Sequence, residues 1–145
     1  EFRRVLFRSD VNNKNIASIH GIQYFKNLQY LNCSYNTLTT LSVLPNSIQR
    51  LYCSHNQLTT IPSLPSELRY LSVTHNQLTS LPVLPVYLYE MHCDSNQLNS
   101  LPALPSISTL YCQNNNLISL PSLPSSLKYL PSKAFARITF TQSRP

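Results

Sequence analysis

Residues 48–67 read IQRLYCSHNQLTTIPSLPSE, and residues 68–87 read LRYLSVTHNQLTSLPVLPVY. The two lines align without a gap. LQYLNCSYNTLTTLSVLPNS (28–47) precedes them. LYEMHCDSNQLNSLPALPS (88–106), one residue shorter, and ISTLYCQNNNLISLPSLPSS (107–126) follow. A sixth line opens with LKYL at 127–130 and then loses the pattern. Self-similarity at a fixed period of this size means that each line is one structural unit, buried only by stacking on its neighbours.

Each position has a physical reason. L-x-x-L-x-C alternates apolar and polar residues, the pattern of a half-buried strand. Leu31, Leu51, Leu71, Met91 and Leu110 therefore point inward, and so do Cys33, Cys53, Val73, Cys93 and Cys112 two residues later. Three residues on stands an asparagine in every line: Asn36, Asn56, Asn76, Asn96 and Asn115. Asparagine tolerates tight turns and bonds backbone groups, so the stacked column is expected to satisfy the backbone where each coil leaves the strand. Leu38, Leu58, Leu78, Leu98 and Leu117 return to the core. Two further columns follow, Leu41, Ile61, Leu81, Leu101 and Leu120, then Leu44, Leu64, Leu84, Leu104 and Leu123. The returning side carries L-P-x-L-P. Proline fixes φ and lacks an N–H, so two prolines three apart forbid a regular helix and favour an extended, polyproline-like path.

The flanks differ. Residues 10–27 fit a partial earlier coil, with Ile16, Ile19, Ile22, Phe25 and Leu28 every three residues and Lys14 at the asparagine position. EFRRVLFRS (1–9) is similar to the translation of a common sequencing-adapter oligonucleotide. It is therefore expected to be an artefact and is set aside from the fold, with natural sequence starting near Asp10. Residues 127–145 read as an incomplete last repeat and an irregular tail, with Pro131 inside the expected strand and Arg137 where a core leucine belongs.

This bears on charge. The formal net charge is +6. Residues 1–9 carry +2, residues 10–27 carry +1 and residues 128–145 carry +4, whereas residues 28–127 carry −1. A phosphate-binding face needs several cations together, and the repeats hold only Arg50 and Arg69. Nucleic acid is therefore not the expected partner. No run of 18 apolar residues offers a transmembrane helix.

The five lines with fixed Leu, Asn and Pro positions resemble the leucine-rich repeat family, in its short bacterial form with L-P-x-L-P. The resemblance covers roughly residues 12–130. It implies a curved solenoid with a parallel β-sheet on the concave side, extended segments on the convex side and little or no helix. It also implies a protein partner on the concave face. Related repeats occur in secreted bacterial effectors, some of which carry a separate ubiquitin-ligase domain, and in bacterial surface proteins. A substrate-recognition fragment is thus the alternative to a self-contained binding module. Neither reading makes this chain alone an enzyme, and neither implies an oligomer or a cofactor.

The outward strand positions form the expected contact face. They fall in four columns: Tyr30, Arg50, Tyr70, Glu90 and Thr109; Asn32, Tyr52, Ser72, His92 and Tyr111; Ser34, Ser54, Thr74, Asp94 and Gln113; and, at the strand exit, Tyr35, His55, His75, Ser95 and Asn114. Five strands spaced about 4.8 Å apart span about 24 Å. Exposed tyrosine offers large area with few rotamers to freeze, which centres the expected patch on Tyr52 and Tyr70. Arg50, Glu90 and Asp94 are the expected charges on this face.

The cysteines invite sharper chemistry and do not support it. Cys33 with Cys53, and Cys93 with Cys112, stand one coil apart within disulfide reach, but they share a slot that Val73 also fills, so free core thiols are expected. Burial protects such thiols in any compartment, and they set no location. Cys53-Ser-His55 and His92-Cys93 supply neither four convergent ligands for zinc nor a third orienting group for a thiol nucleophile. No metal site is expected.

Overall fold

The computed structural model describes residues 7–132. Six short parallel strands form one sheet in chain order: β1 (Arg8–Asp10), β2 (Tyr30–Asn32), β3 (Arg50–Tyr52), β4 (Tyr70–Ser72), β5 (Glu90–His92) and β6 (Thr109–Tyr111). The register is constant, with Leu31, Leu51, Leu71, Met91 and Leu110 side by side. All five are completely buried. Parallel neighbours need a long return path, and here the coil supplies it almost without helix. One 3-10 turn, Ile22–Tyr24, lies on the first of these return paths. The chain is a right-sized stack of coils, each presenting one strand inward and one irregular arc outward.

The asparagine column does what its chemistry predicts. Asn76 Nδ2 donates to Cys53 O of the preceding coil and to Val73 O of its own, each at 3.0 Å, and its Oδ1 accepts from Leu58 N. Asn56, Asn96 and Asn115 repeat the pattern. Each side chain thus stitches two coils together at backbone groups that no strand partner reaches. The first rung survives the change at Lys14, because Asn36 accepts from Lys14 N and Ile16 N and donates to Val11 O. Lys14 contributes only its backbone.

Two expectations are corrected. The sheet has six strands, not five. Arg8 and Ser9, in the segment set aside above, and Asp10, at the start of the partial coil, pair with Tyr30, Leu31 and Asn32. An open sheet edge recruits any extended segment that reaches it, so this pairing concerns packing and not the origin of residues 1–9. Leu123, expected in the core, is 46% exposed, because the sixth coil covers it poorly. Leu64, Leu81, Leu104 and Leu120 are only partly buried. After β6 the sheet continues as a single bridge from Thr109 to Tyr129, consistent with Pro131 ending the ladder. The expectation for Arg137 lies outside the described residues.

Candidate functional site

The concave face is organised by the strand alternation. Residues on either side of each buried leucine turn outward, and the register brings them into the expected columns. Across those columns the aromatic rings form a zigzag ribbon. Ring centroids lie 5.3 Å apart for Tyr30 and Tyr52, 4.7 Å for Tyr52 and Tyr70, 5.4 Å for Tyr70 and His92, 4.4 Å for His92 and Tyr111, and 5.1 Å for Tyr111 and Tyr129. The guanidinium of Arg8 sits 4.0 Å above the Tyr30 ring and closes one end of the ribbon.

A second stack runs along the strand exits. Tyr35 and His55 are parallel with centroids 4.3 Å apart, and His55 and His75 repeat that distance. All three residues have positive φ, between 52° and 55°. Such a backbone costs on the order of 1 kcal/mol or more for a residue other than glycine. It turns His55 away from the buried Cys53 side, as the asparagine turn requires. Burial, then the neighbouring His75, lowers the His55 pKa below 6.5.

Between the two aromatic rows lies a hydroxyl row. Ser54 Oγ and Ser72 Oγ are 2.7 Å apart, and Ser34 Oγ accepts from Ser54 N. Ser72, expected as a contact residue, is buried. It is the short residue in register between Tyr52 and His92. Asn32 is half-buried and caps Ser34 N with its side chain. His92 Nε2 meets Glu90 Oε1 at 2.7 Å. The carbonyl oxygen of the Gln113 side chain is buried and has no hydrogen-bond partner among the described residues. Asp94 stands beside it at the face and is partly exposed.

Burial pushes the Tyr70 hydroxyl up to about 12, with Tyr52 adding to the effect, and burial also raises Tyr52. The phenols therefore stay neutral, acting as flat surfaces with a polar tip.

Sequence reasoning missed part of this surface. Arg8 and Asp10 add an ion pair at 3.7 Å to the charges expected on the face. Tyr129 belongs to the same column as Tyr30 and Tyr70, but its coil had lost the pattern. At the edge where the strands begin, Tyr87, Tyr89 and Arg69 line a groove of about 860 Å³ together with Arg50, Tyr52, Tyr70 and Glu90. These positions precede the strand and fall outside its alternation. The visible signal was two tyrosines at sites where other repeats carry Ser47, Glu67, Gln49 or Ser108.

The thiols are core groups. Cys33, Cys53, Cys93 and Cys112 are free and buried, with the Cys33 and Cys53 sulfurs 3.3 Å apart. Burial raises Cys53 and Cys93 well above the usual thiol range and Cys112 to about 11. A protonated, buried thiol is a poor nucleophile. Among the described residues no three His, Cys, Asp or Glu side chains converge to hold a metal ion. No helix of the described residues is long and apolar enough to cross a membrane.

Comparison with known proteins agrees with the geometry. A family profile described as two copies of leucine-rich repeats matches residues 47–86, and a single leucine-rich repeat matches residues 27–50. The chain is a leucine-rich repeat protein. By sequence, no curated protein matches it significantly. Among solved structures, YopM from Yersinia enterocolitica WA-314 is similar, with 37% identity, a TM-score of 0.81 and coverage of 83% of this chain and 27% of that one. The leucine-rich repeat domain of a Shigella effector has 36% identity and a TM-score of 0.77, over 81% of this chain and 53% of that one. YopM of Yersinia pestis, described as a leucine-rich effector protein, has 32% identity and a TM-score of 0.72, over 84% and 41%. This leucine-rich repeat chain therefore spans between about a quarter and a half of the length of the effector structures it matches. Its repeats are effector-like, and its fold is that of a protein-interaction module.

Proposed function

We propose that this solenoid recognises a protein partner on its concave face, through the aromatic ribbon from Tyr30 to Tyr129. The ribbon itself is the observation that carries the reading. Six rings in unbroken contact, on strands that leave them little freedom, present a preorganised amphipathic surface. Such rings give up little entropy on binding, and aromatic anchors dominate interface energetics. The stacked Tyr35, His55 and His75 form the far rim.

The role of this chain is recognition, not catalysis: its thiols are buried, and His55, His75 and His92 are held in the outward aromatic rows. Used as the sole ligase in a ubiquitin-ligation assay, the chain is expected to give no product. The test of the site is paired capture from host-cell extract. Tyr52→Ser with Tyr70→Ser should abolish capture of a partner that the unaltered chain retains. Val43→Ser with Val83→Ser, on the exposed outer arc, should leave it intact. Capture that survives the tyrosine changes and is lost with the valine changes reverses the assignment.

A further inference from the structure

The groove at the strand-start edge has a composition that the rest of the face lacks. Tyr52 and Tyr70 form its floor, Tyr87 and Tyr89 one wall, Arg50 lies two strands from Glu90, and Arg69 stands on the coil between them. Tyr87 and Tyr89 are 60% and 56% exposed, and Val86 beside them is 73% exposed. Tyr87 stands free for a local reason. The next coil is one residue short, and its turn closes as a tighter contact, Ile107 N to Pro105 O at 2.6 Å, where the other coils close from a residue one further on, as Leu88 N does to Pro85 O. No side chain of equal reach stacks on Tyr87 from that side.

The electrostatics have a sign. Neither Arg50 nor Arg69 forms an ion pair with a described residue. The one acid in the groove, Glu90, is already engaged by His92 at 2.7 Å. The groove therefore offers two guanidinium groups without a carboxylate partner among the described residues, Arg50 lying beside the Tyr52 hydroxyl, and four tyrosine rings. Arginine recognises carboxylates by paired N–H donors. The width also selects. Arg50 and Glu90 are two strands apart, about 10 Å at the backbone, and the Tyr70 ring fills the floor between them. An α-helix with its side chains is about 10–12 Å across, so it does not seat. An extended segment does, since its side chains alternate and present acids to one side and apolar groups to the other.

We propose that this groove binds an extended acidic segment of a partner protein, with carboxylates on Arg50 and Arg69 and apolar side chains on the tyrosine floor and wall. The proposal rests on the concave-face reading and narrows it to one edge and one ligand chemistry. Nucleic acid is disfavoured, because two cations are too few for a phosphate track.

The test uses the full chain with ring-labelled tyrosine and methyl-labelled valine, followed by NMR, and three synthetic peptides of matched length. One combines Asp and Glu with Phe and Pro, one replaces the acids by Lys, and one replaces them by Gln. Resonances are assigned by single tyrosine substitutions. The acidic peptide should bind, shift Tyr70, Tyr87 and Tyr89, and weaken as salt rises. Arg50→Gln with Arg69→Gln should weaken it roughly tenfold while leaving the thermal transition in place, since both side chains are exposed. Tyr87→Ser with Tyr89→Ser, also at exposed sites, should do the same. The proposal is overturned if the Lys or Gln peptide binds as well, if the arginine changes leave affinity unaltered, if a single-stranded oligonucleotide binds the groove more tightly, or if no peptide binds. Shifts confined to Tyr111 and Tyr129 overturn the groove and keep the concave face. Shifts confined to the Val43 and Val83 methyls overturn both.

Discussion

Tyr52 and Tyr70 meet ring to ring at 4.7 Å although they occupy different columns of the sheet. The direct register partner of Tyr52 is Ser72, and that of Tyr70 is Arg50. The contact is diagonal, and the small Ser72 leaves room for it. Two tyrosines directly in register would stack in one column only. The diagonal instead links the two outward columns and lets the aromatic surface cross the sheet. Aromatic pairs of this kind contribute roughly 0.5–1.5 kcal/mol beyond burial. Ser72→Tyr is expected to force the two rings apart, and a loss of their mutual NMR ring-current shifts checks this.

The asparagine column predicts a sharp asymmetry. Asn76→Ala leaves Leu58 N without its partner and takes one of two side-chain donors from each of Cys53 O and Val73 O, which keep Asn56 and Asn96. Orphaning a buried donor costs about 1–3 kcal/mol and each lost further bond about 0.5–1.5 kcal/mol, so a loss of roughly 2–4 kcal/mol is expected. Gln77→Ala, next to it and exposed, should stay within about 0.5 kcal/mol. Chemical denaturation of the two variants compares them directly.

The thiol slot predicts tolerance of shape and intolerance of polarity. Cys53→Val places in the second coil what Val73 already places in the third, and should cost less than about 1.5 kcal/mol. Cys53→Ser buries a hydroxyl in the same fully buried position and should cost more. In the native chain all four thiols should react slowly with an aromatic disulfide reagent at neutral pH, and quickly once the chain is unfolded.

The histidine stack predicts a pH response with a defined sign. The His55 pKa is lowered in the folded chain, first by burial and then by His75. A lowered pKa means that folding disfavours the proton. Stability is fully present above the unfolded value near 6.5 and falls as pH drops below it towards the folded value. His55→Gln should flatten that fall between about pH 7 and 5. His75→Ala should raise the His55 pKa part of the way back, as followed by histidine ring resonances. For Tyr70 the sign is opposite in pH: its pKa, near 12, means that stability declines as pH rises past the ordinary phenol range. Tyr70→Phe should remove the last-titrating phenol from the ultraviolet difference titration.

What could be read from the chain follows from what a coil sees. Leu51, Leu71 and Met91 face identical neighbours one coil away, so periodicity alone placed them, and Asn56, Asn76 and Asn96 likewise. The strand exits were harder, because strict alternation would put His55 beside Cys53, and only the turn at Asn56 reversed it. Three features escaped for physical reasons. Ser9 stands where a leucine is expected, in register with Leu31, so β1 had no apolar signal. Ser72 looked outward by parity, but its larger neighbours in register bury it. Tyr87 and Tyr89 lie before the strand, where side-chain direction is set by the shape of the turn and by a missing residue in the next coil.

The most direct test of the central claim is photo-crosslinking from defined faces of the full chain. A photoreactive phenylalanine analogue at Tyr111 or Gln113 reports the concave side, and one at Ser63 or Ser122 reports the outer arc. The account predicts that a captured protein partner crosslinks from Tyr111 and Gln113 and not from Ser63 or Ser122. Crosslinks from the outer arc alone would contradict it.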